Sequence, residues 1–409
     1  MSAASPVASL RQDATVISLV GYVHGTSHFF HFMFPALFPW LMADFGLNFT
    51  QVGLTMTVFF VVSGIGQALS GFVVDRIGAL RVLYGGTGLL ALSGLALAAA
   101  QNFPMLLFAA FLAGLGNCVF HPVDFTLLNR RVSHPRLGHA FSVHGLTGNL
   151  GWAVAPVMLT TIATAWHWRV AGVAAAIVGL VALLVAFANR ETLGDAHAPT
   201  EADGKPKGGT FDFLRTPTVW LCFTFFLIVT LAFGALQNYS TPIFREVYGV
   251  SIPLAASALT AYLLASAAGT ATGGFFAAQG EGQDRRVAIA LAIAAVAAAV
   301  LASAVLSAFF LPVLMAIMGF CVGFSGPSRD ILVRRAATST FGQRAFGRVY
   351  GFTYSGLDVG FAIAPLVFGP MMDGGQYTHV LWGAAALQLL AITTALTVGS
   401  RARVKAAPN

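Results

Sequence analysis

The sequence predicts an all-α membrane protein of twelve transmembrane helices in two pseudo-symmetric six-helix bundles. Three observations lead there. The 409 residues are 57% hydrophobic and 9% charged, whereas a soluble globular domain carries about 25% charged residues. A chain this apolar cannot cover a water-facing surface and belongs in a bilayer. Its apolar residues come in long runs divided by short polar segments, and the second half repeats landmarks of the first.

The runs, in order, cover residues 16–41, 50–74, 82–100, 105–129, 140–165 and 170–188, then 217–247, 253–278, 287–310, 312–333, 348–370 and 379–400. Each is close to the ~20 residues that a helix needs to cross the hydrocarbon core. Residues 1–13 lack the charged start and small-residue cleavage site of a signal peptide, so the first run is expected to be a true span. Between the sixth and seventh runs lies a stretch rich in Gly, Pro, Asp, Glu and Lys, which reads as a solvated linker. The division is therefore residues 1–188 for the amino-terminal bundle, 189–215 for a cytoplasmic linker and 216–409 for the carboxy-terminal bundle.

Charge orients the set. The net charge of +7 does not cluster into a nucleic-acid-binding face. With the amino terminus inside, the inside segments carry nineteen of the 22 bases, while the outside segments carry only Arg169 and Arg245. That asymmetry is the positive-inside pattern and places both termini in the cytoplasm. The three cysteines, Cys118, Cys222 and Cys321, all lie within apolar runs, so no disulfide framework is expected.

The repeat is visible in detail. Phe120-His-Pro122, Asn129-Arg-Arg131, Gly151 and Ala155-Pro156 are echoed by Ser325-Gly-Pro327, Val333-Arg-Arg335, Gly360 and Ala364-Pro365. This is a parallel duplication of six spans. Between the second and third runs stands Gly71-x-x-x-Asp75-Arg76-x-Gly78-x-x-Arg81. The pattern resembles the loop signature joining the second and third helices of the major facilitator superfamily, with Leu80 where that family usually has a base. Gly71 would let a helix end pack closely, Asp75 would face a helix terminus or an arginine, and Gly78 would permit a tight turn. Arg76 and Arg81 would be held on the cytoplasmic side. Gly116-Asn-Cys-Val-Phe-His-Pro122 and Ser27-His28-x-x-His31 resemble the fosmidomycin-resistance type of efflux protein within that superfamily, although that branch often has Asn where His31 stands. The resemblance implies the major facilitator fold, alternating access, and location in a bacterial inner membrane.

An ionisable side chain at membrane depth costs at least ~2.5 kcal/mol if it faces lipid, so such groups are expected to mark a water-filled cavity. His24, His28 and His31 fall within an arc of about 60° on one helical face. His24 lies about 13 Å from the cytoplasmic end at 1.5 Å per residue. Imidazoles can bind an anion when protonated, relay a proton, or hold a transition metal. No cysteine or carboxylate accompanies this set in sequence, and no metal is expected. Alternatively, each of these histidines braces a neighbouring helix.

His121 and Asp124 sit one turn apart around Pro122, which should bend their helix. They are the first candidates for proton coupling, with Asp358, His24 and His28; a static brace is the alternative. Asn149 stands beside His144 among Gly145, Gly148 and Gly151, glycines that suit close helix packing. In the second half, Arg329 would favour an anion through its planar fork. Tyr350, Tyr354 and Asp358 share a face, and Gln237 and Asn238 lie near the outer end of the seventh run. With His24, His28, His31, His121, Asn149 and Arg329, these complete the substrate-cavity candidates.

No G-x-x-x-x-G-K-[ST] loop and no nucleophile–base spacing occurs, so neither ATP drive nor an enzyme is expected. The expectation is a monomeric secondary transporter of a small organic solute, anions among the candidates. Its partners would be that solute, protons and membrane lipids, with no nucleic acid and no cofactor. The family resemblance favours export by proton antiport; proton-symport uptake of an organic anion and a transport-dead receptor or scaffold are the alternatives.

Overall fold

A computed structural model describes residues 9–194, 212–277, 282–341 and 346–406; most of the expected linker lies outside them. The chain is helical almost throughout. Helix α1 (Leu10–Phe30) opens on a capping box. The Ser9 hydroxyl accepts the Gln12 amide at 3.2 Å and the Gln12 side chain accepts the Ser9 amide at 2.9 Å, so two otherwise unpaired donors are met. The first span then breaks at residues 31–34, passes through a 3-10 turn and resumes as α2 (Phe38–Phe45).

Next come α3 (Phe49–Ile77), α4 (Ala79–Ala99), α5 (Phe103–Asn117), α6 (Phe120–Arg131), α7 (Leu137–Ala165), α8 (Trp168–Ala188) and the short α9 (Arg190–Leu193). The second half holds α10 (Pro217–Tyr248), α11 (Ile252–Ala277), α12 (Gln283–Ser303), α13 (Leu311–Phe341), α14 (Phe346–Asp373) and α15 (Tyr377–Ala406). Eleven helical stretches among the described residues are long and apolar enough to cross a membrane, with α5 and α6 forming one of them. The expected first span is not among these eleven; Arg11, Gln12, Asp13 and its histidines dilute it.

Contacts gather the chain into two compact units. Among the described residues, one contains those up to Leu37 and from Val62 to 194, the other Phe38–Val61 and those from 212 onward. Helix α3 thus begins in the second unit and ends in the first. Within the second unit its start is tied down: the Asp373 carboxylate, at the end of α14, accepts the Phe49 amide at 2.6 Å and the Thr50 amide at 3.1 Å. A carboxylate there meets both the unpaired N–H groups and the positive end of the helix dipole. Tyr239, fully buried, points its hydroxyl at the Phe49 and Pro365 carbonyls.

The packing within each unit repeats. In the first, α1 lies against α7 and α4 against α8; in the second, α10 lies against α14 and α12 against α15. Gly25 and Gly151 make the α1–α7 crossing possible, because a Cβ on either would run into the backbone of the other helix.

The prolines repeat as well. Pro122 lacks an N–H, so the Cys118 carbonyl loses its helical donor and the span divides into α5 and α6. The Ser70 hydroxyl of α3 donates to that carbonyl at 3.1 Å. In the other unit Pro327 leaves the Gly323 carbonyl bare, and the Thr270 hydroxyl of α11 donates to it at 3.3 Å. Each freed carbonyl is met by a hydroxyl on a neighbouring helix, which is how a proline is tolerated inside a membrane.

Candidate functional site: a buried histidine–aspartate cluster

The densest polar site lies in the first unit, where α1, α6 and α7 meet. Asp124 of α6 has no exposed surface. Its Oδ2 lies 3.0 Å from His24 Nδ1 of α1 and 3.1 Å from His144 Nε2 of α7. A carboxylate removed from water needs such partners, since an unpaired buried charge costs several kcal/mol on the order expected for a desolvated ion. The pairing of His121 with Asp124 read from their spacing is not the contact that forms. His121 Nδ1 instead lies 2.9 Å from Gln67 Oε1 of α3. One helical turn put the two on adjoining parts of α6, but helix rotation turned the carboxylate toward α1 and α7.

The imidazoles form a row that leads away from this carboxylate along α1. His24 and His144 have ring centroids 3.5 Å apart, His24 and His28 4.4 Å, and His28 and His31 4.9 Å. Gly148 makes the room: a Cβ there would come within 2.8 Å of His28 and 3.1 Å of His24. His31 belongs to a separate polar chain. The Trp152 indole N–H donates to its Nδ1 at 3.1 Å. Indole can only donate, so His31 carries its proton on Nε2 and donates it to Asn117 Oδ1 at 3.0 Å. Asn117 in turn donates to the Ser63 hydroxyl at 2.8 Å. His31 is thereby held as one neutral tautomer that braces four helices.

His28 differs. Neither of its ring nitrogens has a hydrogen-bond partner among the described residues, nor has Asp124 Oδ1. His24 Nδ1, though close to Asp124, is not aligned for a hydrogen bond. Two sets of donor atoms lie within 4.8 Å of one another: His24, Asp124 and His144, and His24, His28 and His121.

Other predicted residues lie elsewhere. Asn149 of α7 is half-buried and no hydrogen bond to it is formed among the described residues. Gly71 faces open space, so close helix packing is not its role, whereas Gly78 adopts φ 90° and does make the turn between α3 and α4. Arg76 and Arg81 are exposed. The side chains of Asp75 and Tyr350 lie outside the described ones. Gly145, expected to pack, likewise faces open space.

In the second unit Asp358 of α14 is half-buried, with no hydrogen bond or ion pair among the described residues. Arg329 of α13 lies over the Phe226 ring, 4.7 Å from its centroid, and Tyr354 packs on the same ring at 4.5 Å. Gln237 and Asn238 are buried in α10, and Asn238 donates to the Gly234 carbonyl of its own helix. Reading the sequence missed Ser63, Gln67, Asn117 and Trp152 as partners of the histidines. The available signal was an amide inside an apolar run, at Gln67 and Asn117.

Comparison with known proteins decides the family. The family model described as Major Facilitator Superfamily matches residues 21–365. The chain belongs to the major facilitator superfamily. It is therefore a multi-pass membrane protein of a transporter family, not an enzyme. It is similar to the fosmidomycin resistance protein of Escherichia coli (strain K12), 26% identical over 89% of each chain. It is also similar to the membrane sensor protein UhpC of the same organism, 24% identical over 89% of this chain and 88% of that one. Among solved structures, a bacterial homologue of the human lysosomal transporter Spinster, inward-facing and occupied, aligns over 98% of each chain with a TM-score of 0.74 and 16% identity. That likeness carries the superfamily fold alone.

Proposed function

We propose that this superfamily member is a proton-coupled secondary transporter that exports a small organic solute, anions among the candidates, by alternating access. It would work as a monomer in a bacterial inner membrane, with both termini cytoplasmic. Asp358 carries the reading. It is a carboxylate in an apolar span with no ion pair or hydrogen bond among the described residues. A charge there meets no counter-charge among the described residues to offset its desolvation, which is the chemistry of a group that takes up and gives back a proton. The histidine–aspartate cluster would supply the polar lining for the solute, and the cation of Arg329 would favour a negative one. Export is favoured by the similarity to a resistance protein.

The test is flux in proteoliposomes with an imposed proton gradient and a panel of organic anions and drugs. Asp358→Asn is expected to lose uphill transport while keeping solute exchange at equal concentrations. Uphill transport at the wild-type rate in this variant would refute the assignment. The sign of the gradient that drives accumulation separates antiport from symport uptake. The similarity to a membrane sensor keeps a receptor as the second reading; no flux of any panel member, with retained solute binding, would favour it.

A further inference from the structure

We infer that His24, Asp124 and His144 form a binding site for a divalent first-row transition-metal ion such as Zn2+ or Co2+. Such ions bind histidine nitrogen and carboxylate oxygen at about 2.0–2.2 Å, so neighbouring ligand atoms in a tetrahedral site stand about 3.3 Å apart. The separations of His24 Nδ1 and His144 Nε2 from Asp124 Oδ2, 3.0 and 3.1 Å, are close to that spacing. All three side chains are buried, and two imidazoles with one carboxylate match the chemistry these ions prefer.

Unmet polar atoms point the same way. If the cluster were only a hydrogen-bonded brace, its buried atoms would be paired, as those around His31 are. Instead the cluster is paired only in part: His144 Nε2 and Asp124 Oδ2 share a hydrogen bond at 3.1 Å, while His24 Nδ1, Asp124 Oδ1 and both nitrogens of His28 lack hydrogen-bond partners among the described residues. A cation between His24 and Asp124 uses the nitrogen lone pair and the carboxylate charge without requiring a proton to be aligned between them. His28, ring-to-ring with His24 at 4.4 Å, is placed to offer the fourth ligand by a rotation of its side chain. Sequence order hid the site because its carboxylate and its second imidazole come from α6 and α7, far along the chain from His24.

The experiment is titration of the untagged, detergent-purified full chain with Co2+, followed by its visible d–d absorption and by calorimetry, with Zn2+ as competitor. One Co2+ per chain is expected, displaced by Zn2+. Affinity should fall at least about tenfold in His24→Ala and in Asp124→Asn, by the loss of one ligand, and stay unchanged in the His167→Ala control. Size-exclusion profiles establish that the variants are folded. Failure of the wild-type chain to form a stoichiometric Co2+ complex, or an undiminished complex in both folded variants, would overturn the site. No gradient and no organic solute enters this measurement, so its outcome is independent of whether Asp358 couples transport to protons.

Discussion

His28 and His31 lie three residues apart on one helix, yet their surroundings give them different chemistry. His31 has both nitrogens committed, to Trp152 and Asn117; replacing it with alanine would take this partner from a half-buried indole N–H and a buried amide, at a cost of about 1–3 kcal/mol for each group left unmet. His28 has neither nitrogen committed. Spacing alone could place both on one face but could not distinguish them, because the difference is made by residues on α5 and α7. The same holds for Asp124, whose partners come from two other helices. Gly148 gives a direct test of the cluster's role. Gly148→Ala puts a methyl into the space of His24 and His28, and overpacking of this kind costs about 1–3 kcal/mol. The variant is expected to insert and purify normally but to transport slowly, whereas Gly145→Ala, which meets open space, should transport like the wild type. Equal flux in the two variants would mean that the positions of these imidazoles do not matter to transport.

At the level of helices, the sequence was informative wherever one run of residues suffices. Apolar length located the spans, Gly78 located the α3–α4 turn, and Pro122 located the break between α5 and α6. The break after α1 was not anticipated, because the whole stretch from Val16 to Leu41 is apolar enough to read as one helix. Nor was the answer to each proline, since the hydroxyl that meets the freed carbonyl stands on another helix. Ser70→Ala is expected to lower the melting temperature by the loss of one hydrogen bond, about 1 kcal/mol. Pro122→Ala should remove that penalty, because an alanine N–H can reach the Cys118 carbonyl along the helix. A double-mutant cycle by thermal melting checks this: additive effects would show that Ser70 does not act through the proline. Thr270 and Pro327 should behave as the equivalent pair.

For the whole molecule, charge and duplication carried most of the information. Nineteen bases against two predict cytoplasmic termini without any reference to packing. A reporter active only in the cytoplasm, fused after Asn409, is expected to be active; one active only outside should be silent, and the reverse result would invert the topology. The repeat explains why α1 with α7 and α10 with α14 pack alike, while the chemistry of the two halves has separated. The first half concentrates imidazoles about Asp124, and the second holds a carboxylate at Asp358, with no ion pair among the described residues, and an arginine over an aromatic ring. Sequence could list these groups but not their company, since each neighbourhood depends on how several helices are turned. Trp152, finally, rests its indole against His28, 4.6 Å between ring centres, while bonded to His31. Of the six tryptophans in the chain, this one is wired to the polar cluster, so its emission gives the protein a native optical gauge: a charge or a paramagnetic ion arriving beside those rings would dim the glow, with no dye attached.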